Sequence, residues 1–212
     1  KHTDRAFSNT MKLFYVHDPM CSWCWGYQSV LQQLLPKLVD KVEIQYLLGG
    51  LAPDTNETMP KSMQAQIEGY WRKIEGLLGA KFNYDFWHTN RPRRSTYPAC
   101  RAVLAARKQA AEPAMIYAIQ EAYYLRALNP SEDHVLLQLA NELSIDRDAF
   151  ESDFFSQESK EELLQEIAFC REVGATSFPS WVLQRGHERI SIAVDYHSAE
   201  LNFELINKHL SG

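Results

Sequence analysis

Two cysteines separated by two residues, Cys21 and Cys24, are the side chains of this sequence best suited to chemistry. A short apolar run, residues 13–16, precedes them, and leucines at helical spacing follow them. Two thiols placed so at the first turn of a helix can face each other. They can then close a disulfide, or exchange one with another molecule. The motif therefore predicts a thiol–disulfide redox site between a strand and a helix.

The position of each cysteine in the helix predicts its role. We expect Cys21 at the helix N-terminus, where free backbone N–H groups and the helix dipole stabilise a thiolate. Cys24, one turn further in, is then the resolving thiol. Two structural alternatives stay open for this pair: half of a zinc site, or two inert core cysteines. Zinc normally needs a second ligand pair, and Cys100 and Cys170 lack that spacing.

Composition narrows the class of protein. The 212 residues are 45% hydrophobic and 23% charged, so the chain is long enough to bury a core. A net charge of −5 argues against nucleic acid as the main partner, and no apolar run reaches membrane-spanning length. Residues 1–10 lack the apolar segment of a signal peptide, so we expect a cytoplasmic protein, with a processed periplasmic form as the alternative.

The order of predicted elements indicates an α/β fold. Residues 12–17 and 42–48 read as buried strands joined by a helix over 21–39, which makes a right-handed βαβ unit. A run of helices follows, and after it come a helix, an antiparallel hairpin over 180–194 and a last helix. A sheet interrupted by helices predicts one α/β domain, residues 11–53 plus 158–212, with a helical domain inserted at 54–157.

Capping residues and prolines predict several helix ends. Gly79 is placed to end one helix in the left-handed conformation. Ser131, Asp146 and Ser198 each precede a helical pattern and are predicted N-caps. Pro36 lies inside the first helical pattern, where we expect it to kink the helix or to end its regular part.

Phe178 and Pro179 form a second candidate site feature just before the third strand. A cis proline there would let the preceding backbone face the cysteines and pair with an extended substrate. An ordinary trans proline that starts a strand is the alternative, and the local sequence alone favours it.

Three segments together resemble a known family. Residues 18–26 (DPMCSWCWG), 174–182 (GATSFPSWV) and 95–102 (STYPACRA) are similar to the DsbA family of the thioredoxin superfamily, in its branch of DsbA-like and FrnE-like protein-disulfide isomerases. The resemblance extends over the chain from Met11. It implies a thioredoxin-like fold with a helical insertion and a disulfide oxidoreductase or isomerase activity. By resemblance, Cys21 is the nucleophile, Cys24 the resolving cysteine and Pro179 the cis-proline.

The sequence departs from this family at one position and is distinguished from a neighbouring branch at another. Phe178 stands where many relatives carry valine or threonine, which bears on how substrate is bound. The related kappa-class glutathione transferases and 2-hydroxychromene-2-carboxylate isomerases have serine at the first cysteine position and bind glutathione. This chain keeps both Cys21 and Cys24, which favours thiol–disulfide exchange.

Side chains around the motif are candidate substrate contacts. We expect Trp23, Ser177 and Phe178 to bind substrate. Trp23 and Phe178 would belong to an aromatic surface around the thiols, and Trp25 and Trp181 either extend this surface or pack in the core. His17 and Asp18 are either proton carriers or, in the case of Asp18-Pro19, a turn. For Cys100 and Cys170, burial is the main expectation and a regulatory disulfide the alternative.

The function that follows is disulfide exchange with protein thiols or unfolded polypeptide, with no metal and no cofactor beyond the Cys21–Cys24 pair. Glutathione is a possible further partner. Two alternatives remain: a glutathione-dependent transferase or isomerase on the same fold, and a non-enzymatic, redox-linked holdase. The first alternative predicts saturable glutathione binding, and the second predicts suppression of aggregation without the cysteines.

Overall fold

A four-stranded mixed sheet forms the centre of the computed structural model, which describes residues 11–211; the expectation for residues 1–10 lies outside them. The strands are β1 (Met11–His17), β2 (Glu43–Leu48), β3 (Ser180–Arg185) and β4 (Glu188–Ile192), in the order β2-β1-β3-β4. β1 pairs with β2 in parallel, and β3 pairs antiparallel with both β1 and β4. The predicted α/β fold class, parallel βαβ unit and C-terminal hairpin are confirmed.

Nine helices occur within residues 11–211. They are α1 (Ser22–Leu38), α2 (Lys61–Leu78), α3 (Phe86–Thr89), α4 (Tyr97–Arg107), α5 (Glu112–Tyr124), α6 (Asp133–Glu142), α7 (Arg147–Phe154), α8 (Gln157–Glu172) and α9 (Ala199–Leu210). Helices α2 to α7 come between β2 and α8 in the chain. The division of the chain into two domains at residues 54 and 157 stays a prediction.

The alternation of side chains along β1 gives the sheet two covered faces. Leu13 and Tyr15 pack with residues of α1 and α9 in one buried cluster. Phe14 and Val16 point to the other face and pack with residues of α8 and the segment after it. Because both faces are covered, β1 is buried nearly throughout, and the loop that follows it is held on a rigid strand.

A third cluster joins the helices to the redox motif. Trp71 is fully buried at its centre and contacts the rings of Phe82, Phe86, Trp87, Tyr123 and Tyr124. Met20 and Leu48, which flank the active-site side of β1 and β2, belong to the same cluster. The helices therefore pack directly against the loop that carries the cysteines.

Most predicted caps are present. Asp146 and Ser198 accept hydrogen bonds from the backbone N–H groups of Ala149 and Leu201, and Gly79 ends α2 with a φ of 70°. The prediction for Ser131 was wrong. Helix α6 begins two residues later, and the Ser131 hydroxyl donates instead to the Ser95 carbonyl at 2.6 Å.

Pro36 does not end the first helix, because α1 continues to Leu38. A proline loses one backbone hydrogen bond inside a helix. Near the C-terminus, that loss is outweighed by the burial of Leu34 and Leu38 on the same helix. Among the described helices, none is long and apolar enough to cross a bilayer.

An ionic network outside the sequence predictions fixes the end of β2. The Arg107 guanidinium donates to Glu112 and to Glu166, each at 2.7 Å, and also reaches the Tyr46 carbonyl. Glu166 in turn accepts the backbone N–H of Leu48 at 2.8 Å. The network connects α4, α5 and α8 to the edge strand. It therefore fixes the position of these helices relative to the sheet near the site.

Candidate active site

Cys21 is the N-cap residue of α1. Its backbone is extended (φ −79°, ψ 118°), and its sulfur accepts a hydrogen bond from the backbone N–H of Cys24 at 3.3 Å. The Cys21 N–H donates to the Asp18 carbonyl at 3.0 Å, which closes the turn between strand and helix. A sulfur at this position faces the free backbone N–H groups and the positive end of the helix dipole.

Cys24 lies beneath it and is almost fully enclosed. It is 1% exposed, against 6% for Cys21, and all four cysteines of the chain are free thiols in this structure. Burial raises the pKa of Cys24 well above its ordinary value, and its neighbour Cys21 raises it further. An enclosed, protonated thiol is a poor first attacker of a substrate disulfide, so this arrangement leaves the first attack to Cys21.

The Phe178–Pro179 loop closes the site from the opposite side. The peptide bond between these residues is cis, the form implied by the family resemblance. The Cys21 thiol donates to the Phe178 carbonyl, with 3.6 Å between sulfur and oxygen. The loop backbone thus faces Cys21 across a chain separation of 157 residues. Pro179 is buried, and Ser177 is exposed.

The bulky ring of Phe178 is accommodated by a glycine. A Cβ atom added to Gly49 would lie 1.9 Å from the nearest atom of the Phe178 ring, which no side chain tolerates. Gly49 follows β2, and its N–H donates to the His17 carbonyl at 2.8 Å. The ring therefore packs on the bare backbone at the end of the sheet, which explains how phenylalanine fits beside the active-site proline.

We expect Gly49→Ala to destabilise the protein by about 1–3 kcal/mol, because the new methyl group overpacks the contact with Phe178. Adding Phe178→Val should recover most of that loss, since the two side chains share one space. Urea denaturation measures both effects. Gly69→Ala, at a helical glycine with open space around it, is the matched control and should be neutral or stabilising. A double variant no more stable than Gly49→Ala would contradict the contact.

Asp18 is the centre of a buried hydrogen-bond cluster. Its carboxylate is 0% exposed and accepts from Met20 N–H, Leu51 N–H and the Thr96 hydroxyl, each at 2.8 Å. The Cys100 thiol also donates to it, at 3.5 Å. The turn interpretation of Asp18 is therefore correct but incomplete, because the same carboxylate ties the cysteine loop to α4 and to the segment after β2.

Burial dominates the electrostatics of this cluster. It raises the pKa of Asp18, although the four donors act in the opposite direction. It also raises the pKa of Cys100 well above the ordinary thiol value, and that of Cys170 to about 12. Cys170 donates to the Leu48 carbonyl at 3.5 Å. Both thiols are buried as expected, and each forms one hydrogen bond that the sequence did not indicate.

Asp18→Asn is expected to lower the free energy of unfolding by about 1–3 kcal/mol. The carboxylate only accepts hydrogen bonds, on both oxygens, so an amide NH₂ must face either the Met20 N–H or the three donors on the other side. Chemical denaturation measures the loss, with Asp40→Asn at an exposed position as the matched control. Equal stability of the two variants would show that the cluster does not depend on the charge pattern described.

The predicted aromatic surface is smaller than expected. Trp181 is 1% exposed, and its indole N–H donates to the Tyr27 hydroxyl, so this residue belongs to the core. Trp25 is half-buried and stacks on Tyr124. Trp23 is half-buried too, with the Tyr196 ring 5.4 Å away and the Lys73 ammonium 6.0 Å from its own ring. Trp23, Trp25 and Phe178, each half-buried, remain of the predicted surface.

His17 is buried and neutral. Burial lowers its pKa to about 3, with a smaller contribution from Arg107. Its ring stacks on Tyr15, with 5.5 Å between centroids, and neither ring nitrogen has a hydrogen-bond partner among the described residues. Neither nitrogen is therefore hydrogen-bonded to a sulfur of the motif, and the structure gives no support to a proton-carrying role.

Among the contacts that sequence reasoning missed, two hold the loop that carries the cysteines. The Thr96 hydroxyl binds Asp18, and the Tyr124 hydroxyl donates to the Met20 carbonyl at 2.8 Å. The first had a signal, since residues 95–102 carry part of the family resemblance. The second had none, because Tyr124 lies in an ordinary helical pattern. Residues 11–211 contain no cluster of three or more His, Cys, Asp or Glu side chains suited to a metal ion.

This fold and site define a thioredoxin-like protein with a dithiol at the start of α1. A family model described as thioredoxin matches residues 14–197, so the chain belongs to that family. Its similarity to solved structures includes a candidate protein disulfide isomerase from Nitrosomonas europaea, with 28% identity and a TM-score of 0.84 over 95% of this chain and 98% of that one. The membership of the thioredoxin superfamily that the resemblance implied is thereby confirmed.

A second solved structure is the cytosolic disulfide reductase DsbM from Pseudomonas aeruginosa. It matches with 23% identity and a TM-score of 0.77 over 94% of this chain and 98% of that one, and it has also been solved with GSH. At this identity the match shows the fold alone.

Curated relatives carry a different description. The ClpXP adapter protein SpxH of Bacillus subtilis is 23% identical over 173 residues, which are 80% of this chain and 57% of that protein. The chain therefore spans little more than half the length of this relative. The fold and the solved structures support thiol–disulfide oxidoreduction in general, and the curated description concerns an adapter.

Proposed function

We propose that this protein exchanges disulfides with protein substrates, with Cys21 as the nucleophile and Cys24 as the resolving thiol. The observation that carries the proposal is the placement of Cys21. Its sulfur caps α1 and lies 3.6 Å from the Phe178 carbonyl, with Cys24 enclosed one turn below. A substrate disulfide that approaches between the helix and the loop meets this sulfur first.

The proposed exchange takes place in two steps, and Cys21 and Cys24 are the only thiols of the protein that it uses. The Cys21 thiolate attacks one sulfur of the substrate disulfide, which forms a mixed disulfide and releases the other sulfur as a thiolate. Cys24 gives up its proton to the released substrate thiolate, attacks the Cys21 sulfur and displaces the second substrate sulfur as a thiolate. The substrate has then gained two electrons, and the protein holds a Cys21–Cys24 disulfide. The reverse sequence oxidises a substrate dithiol.

Substrate contacts follow from the same geometry. In this proposal the backbone before Pro179 pairs with an extended substrate segment, as edge strands do. Trp23 and Phe178 supply apolar contacts, and the exposed Ser177 is available for hydrogen bonding. Glutathione is the small thiol that we propose to return the pair to the dithiol form. The similar protein from Pseudomonas aeruginosa is a cytosolic reductase that has also been solved with GSH, which supports this choice and a cytoplasmic location.

The test is reduction of insulin disulfides by the full chain with glutathione as the electron source, against a variant with both Cys21 and Cys24 replaced by serine. We expect turnover by the wild-type chain and only the uncatalysed rate with the double variant. Equal rates would reject the proposal.

Adapter activity is the second candidate function, and the curated relatives are the observation that favours it. Such a role needs a binding surface and no thiol chemistry. The double serine variant separates the two candidates, because partner binding that survives in it without disulfide exchange supports an adapter.

A further inference from the structure

A cavity of about 300 Å³ lies between the sheet and the helices. Its floor comes from β1 and β2, one wall from α1 and the other from the first half of α5. Neither cysteine of the motif lines it. The volume is at the lower end of the range for small-molecule sites, which often form at such junctions.

The walls are suited to a flat apolar molecule. Tyr15, Tyr46 and Tyr117 contribute aromatic rings to the lining, and Leu31, Leu35 and Ile116 contribute aliphatic side chains. Aromatic side chains favour stacked or edge-on contact with other rings. The shape and composition therefore favour an aromatic ligand over a flexible chain.

Two polar side chains in the lining have unused hydrogen-bonding groups. His17 is 1% exposed and Gln120 2% exposed, and both line the cavity. Both ring nitrogens of His17 and the Oε1 atom of Gln120 lack partners among residues 11–211. A buried polar group left unpaired costs about 1–3 kcal/mol. A ligand with an N–H or O–H group can remove part of that cost at Gln120.

The lack of charged side chains in the lining excludes charged ligands. Among residues 11–211, no Asp, Glu, Lys or Arg lines the cavity. His17 is uncharged there, because burial and the nearby Arg107 both disfavour its protonated form. A charged ligand would lose its hydration without gaining a counter-charge, which is strongly unfavourable. The ligand must therefore be neutral.

We propose that this cavity binds an uncharged molecule of one or two fused aromatic rings that carries an N–H or O–H donor. The site is separate from disulfide exchange, and the inference does not depend on the proposed function. Gln28 and Gln32, on the α1 wall, offer further hydrogen bonds near the mouth of the cavity.

Ligand-observed NMR titration of the full chain tests the proposal with three probes. Indole carries the donor, indene has the same shape without it, and indole-2-carboxylate adds a charge. We expect saturable binding of indole at one site, about two- to tenfold tighter than indene, the range for one net hydrogen bond. The carboxylate should bind at least about tenfold more weakly than indole.

Single substitutions test whether indole binds in this cavity. Ala114→Trp, at an exposed position in the lining, should fill the cavity and remove indole binding. Ala65→Trp, at an exposed position on α2 outside the lining, is the matched control and should bind normally. Gln120→Leu should reduce indole affinity to that of indene. Absence of saturable binding, unchanged binding by Ala114→Trp, or an unchanged preference for indole in Gln120→Leu would overturn the proposal. Circular dichroism of each variant, unchanged from the wild type, shows that it is folded.

Discussion

Replacing Cys21 with serine is expected to lower the rate of insulin reduction by about a thousandfold or more, to the uncatalysed level. A serine hydroxyl keeps the N-cap hydrogen bond to the Cys24 N–H but is not ionised at neutral pH. The variant should therefore fold normally and lose only the attacking group. Insulin turbidity or glutathione-coupled turnover measures the rate, and circular dichroism confirms the fold.

Cys170→Ser is the matched control for this prediction. Cys170 is as buried as Cys24, and serine can still donate to the Leu48 carbonyl. Activity close to wild type is expected, because this thiol is far along the chain from the motif and hydrogen-bonded to the sheet. If Cys21→Ser retains a substantial fraction of the activity, then the nucleophile is another thiol and the assignment of Cys21 is wrong.

Acidification is expected to destabilise the folded protein through His17. In the unfolded chain this residue takes up a proton near its ordinary pKa of 6.5, whereas in the folded protein its pKa is about 3. Between these values the unfolded state binds more protons. Stability from this residue is fully present above pH 6.5, and it falls with decreasing pH by about 1.4 kcal/mol per pH unit.

Urea denaturation between pH 6.5 and about 4.5 measures this slope, above the range in which most carboxyl groups titrate. His17→Phe keeps an aromatic ring against Tyr15 and removes the titration, so it should flatten the curve. His88→Phe, at an exposed histidine, should leave the slope unchanged. A slope that is equal in wild type and His17→Phe would show that His17 is not held neutral.

The sequence predicted the parts of the fold that depend on local pattern. The cysteine motif, the βαβ unit and the C-terminal hairpin follow from spacing and periodicity, and the structure has all three. The prediction of an N-cap at Ser131 was wrong because its hydroxyl donates to a distant acceptor, the Ser95 carbonyl. A local pattern carries no information about such a competitor.

The site was predicted less completely, for a related reason. Cys21 and Cys24 are adjacent in the chain, and their relation was readable from spacing alone. The contacts of Asp18 with Thr96 and Cys100 join segments about 80 residues apart, and no periodicity marks them. The packing of Phe178 on Gly49 is similar, because a glycine after a strand does not reveal which ring it accommodates.

The most direct test of the central claim is to trap the intermediate. Cys24→Ser removes the resolving thiol, so attack on a substrate disulfide should stop at the mixed disulfide. After incubation with an insulin disulfide and alkylation, peptide mass spectrometry should find substrate linked through Cys21. Substrate linked through Cys100 or Cys170, or no linked species at all, would contradict the assignment of Cys21 as the attacking thiol.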